Sequence, residues 1–216
     1  MSGVDAVWTI GRYTIGTLVR LLVPLRSYGA QRVPKTGGVV LAFNHFHWID
    51  PPVVGLLSPR PMNFVAKVEA HRIPGLGQLI RAFGTISVRR GESDREAVRQ
   101  MRESVRAGHA LGLFVEGTRQ LSGVPGQVQP GAAMVALQEG VPIVPVAIYG
   151  SHEWKPGNYR PISVAWGEPI FFDGLPKGGK GYREASDRVQ AKLHELHSWL
   201  GEMHQLGRPA HATPPA

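Results

Sequence analysis

Between Gly37 and Gly167, short runs of apolar residues alternate with longer stretches whose apolar residues return every three or four positions. The first kind reads as buried strand and the second as helix, because strand side chains alternate faces while helical ones repeat every 3.6 residues. The predicted strands are GVVLAF (38–43), NFVAK (63–67), TISV (85–88), ALGLFV (110–115), PIVPVAIY (142–149) and PISVAWG (161–167). Several are apolar at every position, which puts them inside a sheet covered by helices. Such alternation along one chain predicts an α/β layer fold.

Three helices are expected within and after this region. Ser93 to Ala107 carries a capping box of Ser93 and Glu96, a buried stripe of Val98, Met101 and Val105, and a stop at Gly108. Gly131 to Glu139 ends at Gly140. Tyr182 to Met203 presents Tyr182, Ala185, Val189, Leu193, Leu196, Leu200 and Met203 on one side, an intramolecular docking face. Residues 207–216, GRPAHATPPA, have the composition of a disordered tail.

The first 28 residues stand apart. As one helix, Val4 to Leu25 would gather Val4, Val7, Trp8, Ile15, Leu18, Leu22 and Leu25 on one arc, opposite Asp5, Thr9, Arg12, Gly16 and Arg20. That helix suits a membrane surface, with Trp8 at headgroup depth, or a docking face on its own domain. Arg12 and Arg20 break the run short of the roughly 20 apolar residues that span a bilayer. Asp5 sits where a signal peptide would carry positive charge.

The 216 residues suffice for one domain with a proper core, no segment repeats, and 43% apolar content excludes a disordered chain. There are 24 Lys and Arg against 16 Asp and Glu, a balance that favours anionic partners such as nucleic acid, phosphorylated substrates or acidic lipid headgroups. The absence of cysteine excludes disulfides, thiolate nucleophiles and Cys-based zinc sites.

Candidate chemistry gathers at strand ends. FNHFHWIDPP (43–52) reads as strand, tight turn and helix, with Asp50 as N-cap and Pro51 at the first helical position. On a continuous helix His45 and Asp50 would lie about 140° apart. Across a turn the carboxylate can swing back to one imidazole nitrogen, leaving the other free to take a proton from a hydroxyl. Two other readings stay open: Asp50 as a cap beside satisfied histidines, and His45, His47 and Asp50 as metal ligands. FVEGTR (114–119) puts a glycine, a hydroxyl and an arginine after another strand, a set suited to phosphate oxygens. GTISVRRG (84–91) puts Arg89 and Arg90 at a third.

Here the chain resembles the glycerolipid acyltransferases, the 1-acyl-sn-glycerol-3-phosphate acyltransferase type. NHFHWID is similar to their Asn-His-four-residues-Asp signature, FVEGTR to Phe-Pro-Glu-Gly-Thr-Arg, and VPIVPVAI to a later Val-Pro-Ile-Val-Pro block, in the same order over about 29–167. The resemblance implies a mixed sheet of about six to seven strands flanked by helices, with residues 29–206 as the acyltransferase domain. It implies His45 as catalytic base and Asp50 as its partner. Asn44, Arg89, Arg90, Glu116, Gly117, Thr118 and Arg119 would bind substrate, with Arg90 and Arg119 near phosphate. Val115 departs from the family's proline, Ser87 and Arg89 from an aromatic and an acidic residue, and Gln129 from a lysine.

The implied partners are lysophosphatidic acid or a similar lysolipid, acyl-CoA or acyl-carrier protein as donor, and an anionic membrane surface, with no cofactor, metal or nucleic acid. The implied place is the cytoplasmic face of the cell membrane, peripheral or monotopic. Rival readings are an acyltransferase for another lysolipid or glycolipid, a metal-dependent hydrolase, and a non-catalytic protein binding anionic lipid or nucleic acid. The basic residues lack the interleaved aromatics of a nucleic-acid groove.

Overall fold

The computed structural model describes residues 3–89 and 94–216. Its strands are β1 Leu25–Tyr28, β2 Val39–Phe43, β3 Met62–Lys67, β4 Ile86–Val88, β5 Ala110–Phe114, β6 Ile143–Tyr149 and β7 Ile162–Trp166. The α-helices are α1 Gly3–Tyr13, α2 Ile15–Leu22, α3 Asp50–Leu57, α4 Val68–Arg72, α5 Leu76–Ala82, α6 Arg95–Arg106, α7 Gly131–Glu139 and α8 Gly179–Gln205. The strands form one sheet in the order β1-β7-β6-β2-β5-β3-β4. All pairings are parallel except β6 with β7.

The central strand β2 is buried at every position, and its alternation builds two cores. Val39, Leu41 and Phe43 face Trp8, Val19, Val53 and Val54 of α1, α2 and α3. Val40 and Ala42 face Met101, Val135 and Val189 of α6, α7 and α8. The expected docking stripe of α8 is buried from Ala185 to Met203. The sheet is thus covered on both faces, and only its strand ends are left to carry chemistry.

Three expectations need correction. The N-terminal segment is two helices, and residues 25–28 are an edge strand paired with β7. Pro24 forces the residue before it out of helical geometry, and Val23 is extended at φ −136°, ψ 120°. Nor does Trp8 lie on an outer face: it is 4% exposed and packs edge-on against Phe83 at 5.5 Å. The apolar residues left outside are Ile10, Tyr13, Leu18 and Leu21.

Second, Ser93 lies outside the described residues, and Asp94 caps α6 by accepting a hydrogen bond from the Ala97 amide at 3.0 Å. Third, the segment with a disordered composition lies on the domain at its far end. Arg32 donates to the carbonyls of Pro214 and Pro215 at 2.8 and 2.9 Å, and Pro214 is buried. Prolines lack an amide to satisfy, so the guanidinium meets their carbonyls alone, and Lys192 donates to the Ala216 carbonyl beyond them.

No helix among the described residues is long and apolar enough to cross a membrane.

Candidate active site

Phe43 pairs with Phe114 at the ends of the parallel neighbours β2 and β5, so the residues that follow leave the same edge of the sheet side by side. His45 and Glu116 are each two positions past that pair. The Glu116 carboxylate bridges them, accepting from the His45 amide at 2.8 Å through Oε2 and from the Gly126 amide at 2.7 Å through Oε1. The Gln120 amide in turn donates to the His45 carbonyl at 2.7 Å. The backbone of His45 is therefore pinned on both sides by the second motif.

Its ring is pinned as well. Nδ1 lies 2.9 Å from Asp50 Oδ2, and the imidazole sits 4.1 Å, centroid to centroid, over Phe114. Asp50 is fully buried and is the first residue of α3, one position later than an N-cap. Its side chain does not cap forward. Oδ2 turns back to accept from the amides of Phe46 at 2.7 Å and His47 at 2.8 Å as well as from the ring. The two prolines after it remove donors that would compete for the carboxylate.

A carboxylate only accepts, so the proton of the neutral His45 ring stays on Nδ1 and the lone pair on Nε2. This is a base with a fixed tautomer and a negative charge placed to stabilise the imidazolium it would become.

The other expected site residues divide. Asn44 is buried and turned to the sheet: its side-chain N–H donates to the Ile148 carbonyl at 3.0 Å and its Oδ1 accepts from the Ile148 amide at 2.7 Å. β2 has left the sheet at Phe43, and Asn44 replaces the lost backbone pairing with β6. Glu116 is 5% exposed with both oxygens used, so it shapes the site and does not offer itself to a substrate. Burial pushes its pKa up to about 7, with Asp50 adding to that and the two amide donors opposing it.

Gly117 is needed for its backbone: φ is 73°, while a Cβ there would meet only Gln129 Cγ at an ordinary 3.7 Å. Thr118 and Arg119 are exposed beyond it. Arg89 is exposed past β4, on the edge strand three places from β2, on the order of 14 Å across the sheet. Arg90 lies outside the described residues.

Sequence reasoning overlooked Lys67. It ends β3, pairs in register with Val88, and stands exposed between the ends of β5 and β4. A lysine closing the run NFVAK at a strand end was the available signal. Lys67, Arg89 and Arg119 make this edge cationic. Among the described residues, no three His, Asp or Glu side chains are grouped to hold a metal ion.

Comparison with known proteins places the chain in a family. The acyltransferase family profile matches residues 24–149, more than half of the chain and all of the residues just described. The chain belongs to the acyltransferase family. It is 33% identical over 172 residues to the 1-acyl-sn-glycerol-3-phosphate acyltransferase of Limnanthes douglasii, covering 74% of this chain and 60% of that one. It is 34% identical over 166 residues to the lyso-ornithine lipid O-acyltransferase of Pseudomonas aeruginosa PAO1, covering 75% and 63%. In solved structures, the 1-acyl-sn-glycerophosphate acyltransferase PlsC of Thermotoga maritima shares the fold, with a TM-score of 0.70 at 23% identity over 95% of this chain and 80% of that one. The chain spans about half to three fifths of the length of the first curated relatives it matches.

Proposed function

We propose that this acyltransferase moves a fatty acyl group from a thioester, acyl-CoA or acyl-carrier protein, to the free hydroxyl of 1-acyl-glycerol-3-phosphate, giving phosphatidic acid. The observation that carries the reading is the His45–Asp50 contact, which leaves Nε2 as the one basic nitrogen of that ring. Nε2 takes the hydroxyl proton as the oxygen attacks the thioester carbonyl. Collapse of the tetrahedral adduct breaks the carbon–sulfur bond, and the imidazolium returns the proton to the departing thiolate. The sequence has no cysteine and no Gly-x-Ser-x-Gly elbow to carry an acyl-enzyme, which favours direct transfer.

The phosphate acceptor is favoured by the cationic edge of Lys67, Arg89 and Arg119. A second reading, acylation of a lyso-ornithine lipid, is favoured by the similarity to the Pseudomonas enzyme. A membrane surface would supply either lipid. The apolar residues exposed on α1 and α2, between 58% and 78%, alternate with Arg12 and Arg20 and suit an acidic bilayer.

The test is thiol release by the purified protein from acyl-CoA with lysophosphatidic acid or lyso-ornithine lipid in mixed micelles. The phosphate acceptor is expected to react faster, and His45→Ala to lower the rate by about 10²–10⁴. Undiminished release by His45→Ala removes the mechanism, and faster release with lyso-ornithine lipid selects the second reading.

A further inference from the structure

The base and its carboxylate leave the second histidine of the motif without a task. His47 is also held through Nδ1, but in the opposite sense. Its own amide donates to Asp50 Oδ2 at 2.8 Å, and its Nδ1 lies 3.3 Å from the Ile49 amide nitrogen. A backbone amide can only donate. Nδ1 of His47 is therefore the acceptor, and the proton of the neutral ring sits on Nε2. Two residues apart, one imidazole presents a lone pair at Nε2 and the other an N–H.

The ring has little freedom to do otherwise. It lies 5.2 Å from Trp48 and 5.7 Å, edge-on, from the buried Trp154, and those two indoles are 5.5 Å apart. The charged and titratable groups around it are Asp50, Arg119 and His45. Burial, together with Arg119 and His45, lowers its pKa below the ordinary 6.5, with Asp50 opposing. The ring stays neutral at neutral pH, so it is a directed donor and not a cation. Asp50 is fully buried and spends Oδ2 on three inward donors, so its carboxylate offers no solvent-facing competitor for an anion here. His47 is half-buried, and the exposed guanidinium of Arg119 is close enough to act on its charge.

Such a pair suits an oxyanion of spread charge, one oxygen taking the neutral donor and the others the guanidinium. We propose that His47 is a headgroup ligand in the acceptor subsite, its Nε2–H donating to a phosphate oxygen of the lysolipid beside Arg119. This rests on the acyltransferase reading above. The two histidines then divide one reaction: His45 takes the proton from the hydroxyl, and His47 anchors the phosphate of the same molecule. His47 cannot share the base's work, because its Nε2 is already protonated.

The assignment is tested by the split between acceptor KM and kcat. With lysophosphatidic acid and acyl-CoA, His47→Ala is expected to raise the acceptor KM about tenfold to a hundredfold and to move kcat by less than about threefold. His47→Gln, whose terminal amide reaches where Nε2 stood, restores most of the affinity. His47→Asn, which can replace only Nδ1, does not. With a phosphate-free 1-acylglycerol acceptor the effect of His47→Ala disappears.

A second arm needs no turnover: glycerol 3-phosphate is titrated into each protein while the fluorescence of its tryptophans, Trp48 among them, is followed. Saturable binding weakened about tenfold by Ala and kept by Gln supports the assignment. Equal binding by parent and Ala variant overturns it while leaving the acyltransferase reading intact, and so does a fall in kcat at unchanged KM. No saturable binding by the parent overturns it outright. Binding with the expected pattern but no thiol release from any acceptor keeps the phosphate site and removes the acyl transfer.

Discussion

Three donors converge on one oxygen of Asp50: the His45 ring and the amides of Phe46 and His47. Its two roles, holding the turn and charging the base, can be separated by substitution. An asparagine at this place can turn its carbonyl oxygen to the same three donors, so Asp50→Asn keeps the turn and removes the negative charge, while setting an amide N–H pair where Oδ1 lies buried without a partner. Thiol release should fall by about 10²–10⁴, because the imidazolium formed in the transition state loses its counter-charge. The melting temperature should fall less than in Asp50→Ala, because three donors keep their acceptor. Asp50→Ala leaves buried donors unpaired at roughly 1–3 kcal/mol each and should lose stability along with activity. Calorimetry of both variants beside their rates decides the matter. An Asp50→Asn protein that melts as early as Asp50→Ala, or that works at the parental rate, contradicts the division.

Asn44 belongs to the joint between β2 and β6. Asn44→Ala frees a buried amide and a buried carbonyl of Ile148, at a cost of roughly 2–4 kcal/mol, read as a fall in melting temperature on the order of 10 °C. The acceptor KM of the folded protein should stay where it was, and a raised KM would restore Asn44 to the substrate. Its position in the motif could not reveal this, since an asparagine beside a catalytic histidine looks the same whether it faces a ligand or the neighbouring strand. The strands were legible because parallel strands buried on both faces leave unbroken apolar runs, as VVLAF and IVPVAIY do. β1 was not, because LRSY is a half-buried edge of four residues with no such signature. The N-terminal arc stayed open between lipid and its own domain because periodicity shows that a face is apolar, never what covers it. Pro24, which ends that helix, was nevertheless there to be read. Of the site, the His45–Asp50 contact was legible from a turn bracketed by a strand and two prolines. The tie from Glu116 to the His45 backbone was not, since it joins two loops 71 positions apart.

Acid should act on the molecule through shielded groups of opposite sign, Glu116 on one side and His197 and His204 on the other. Glu116 has its pKa pushed up to about 7 from 4.5 by burial, so the unfolded chain ionises first. Its contribution to stability is complete below about pH 4.5 and is lost as the pH rises to about 7, a swing of roughly 3 kcal/mol. His197 lies against Phe46 and Tyr149, and burial lowers its pKa to about 4 from 6.5, with His152 and His194 adding to the effect. Its contribution is complete above about pH 6.5 and is lost as the pH falls to about 4, by up to about 3 kcal/mol. His204, also lowered to about 4 by burial, acts in the same direction as His197. Between pH 6.5 and 4.5 the gain at Glu116 offsets part of the histidine loss, and the parent protein should lose less stability than the histidines alone would require. Glu116→Gln removes the gain and should steepen the loss on acidification. His197→Phe keeps an aromatic ring there, removes one loss, and should make the protein more acid-resistant than its parent. Urea midpoints at pH 7, 6, 5 and 4 read the slopes directly, and slopes are immune to whatever constant cost each substitution carries. Three parallel curves would mean that neither group changes its protonation on unfolding, and the buried charge balance drawn here would be wrong.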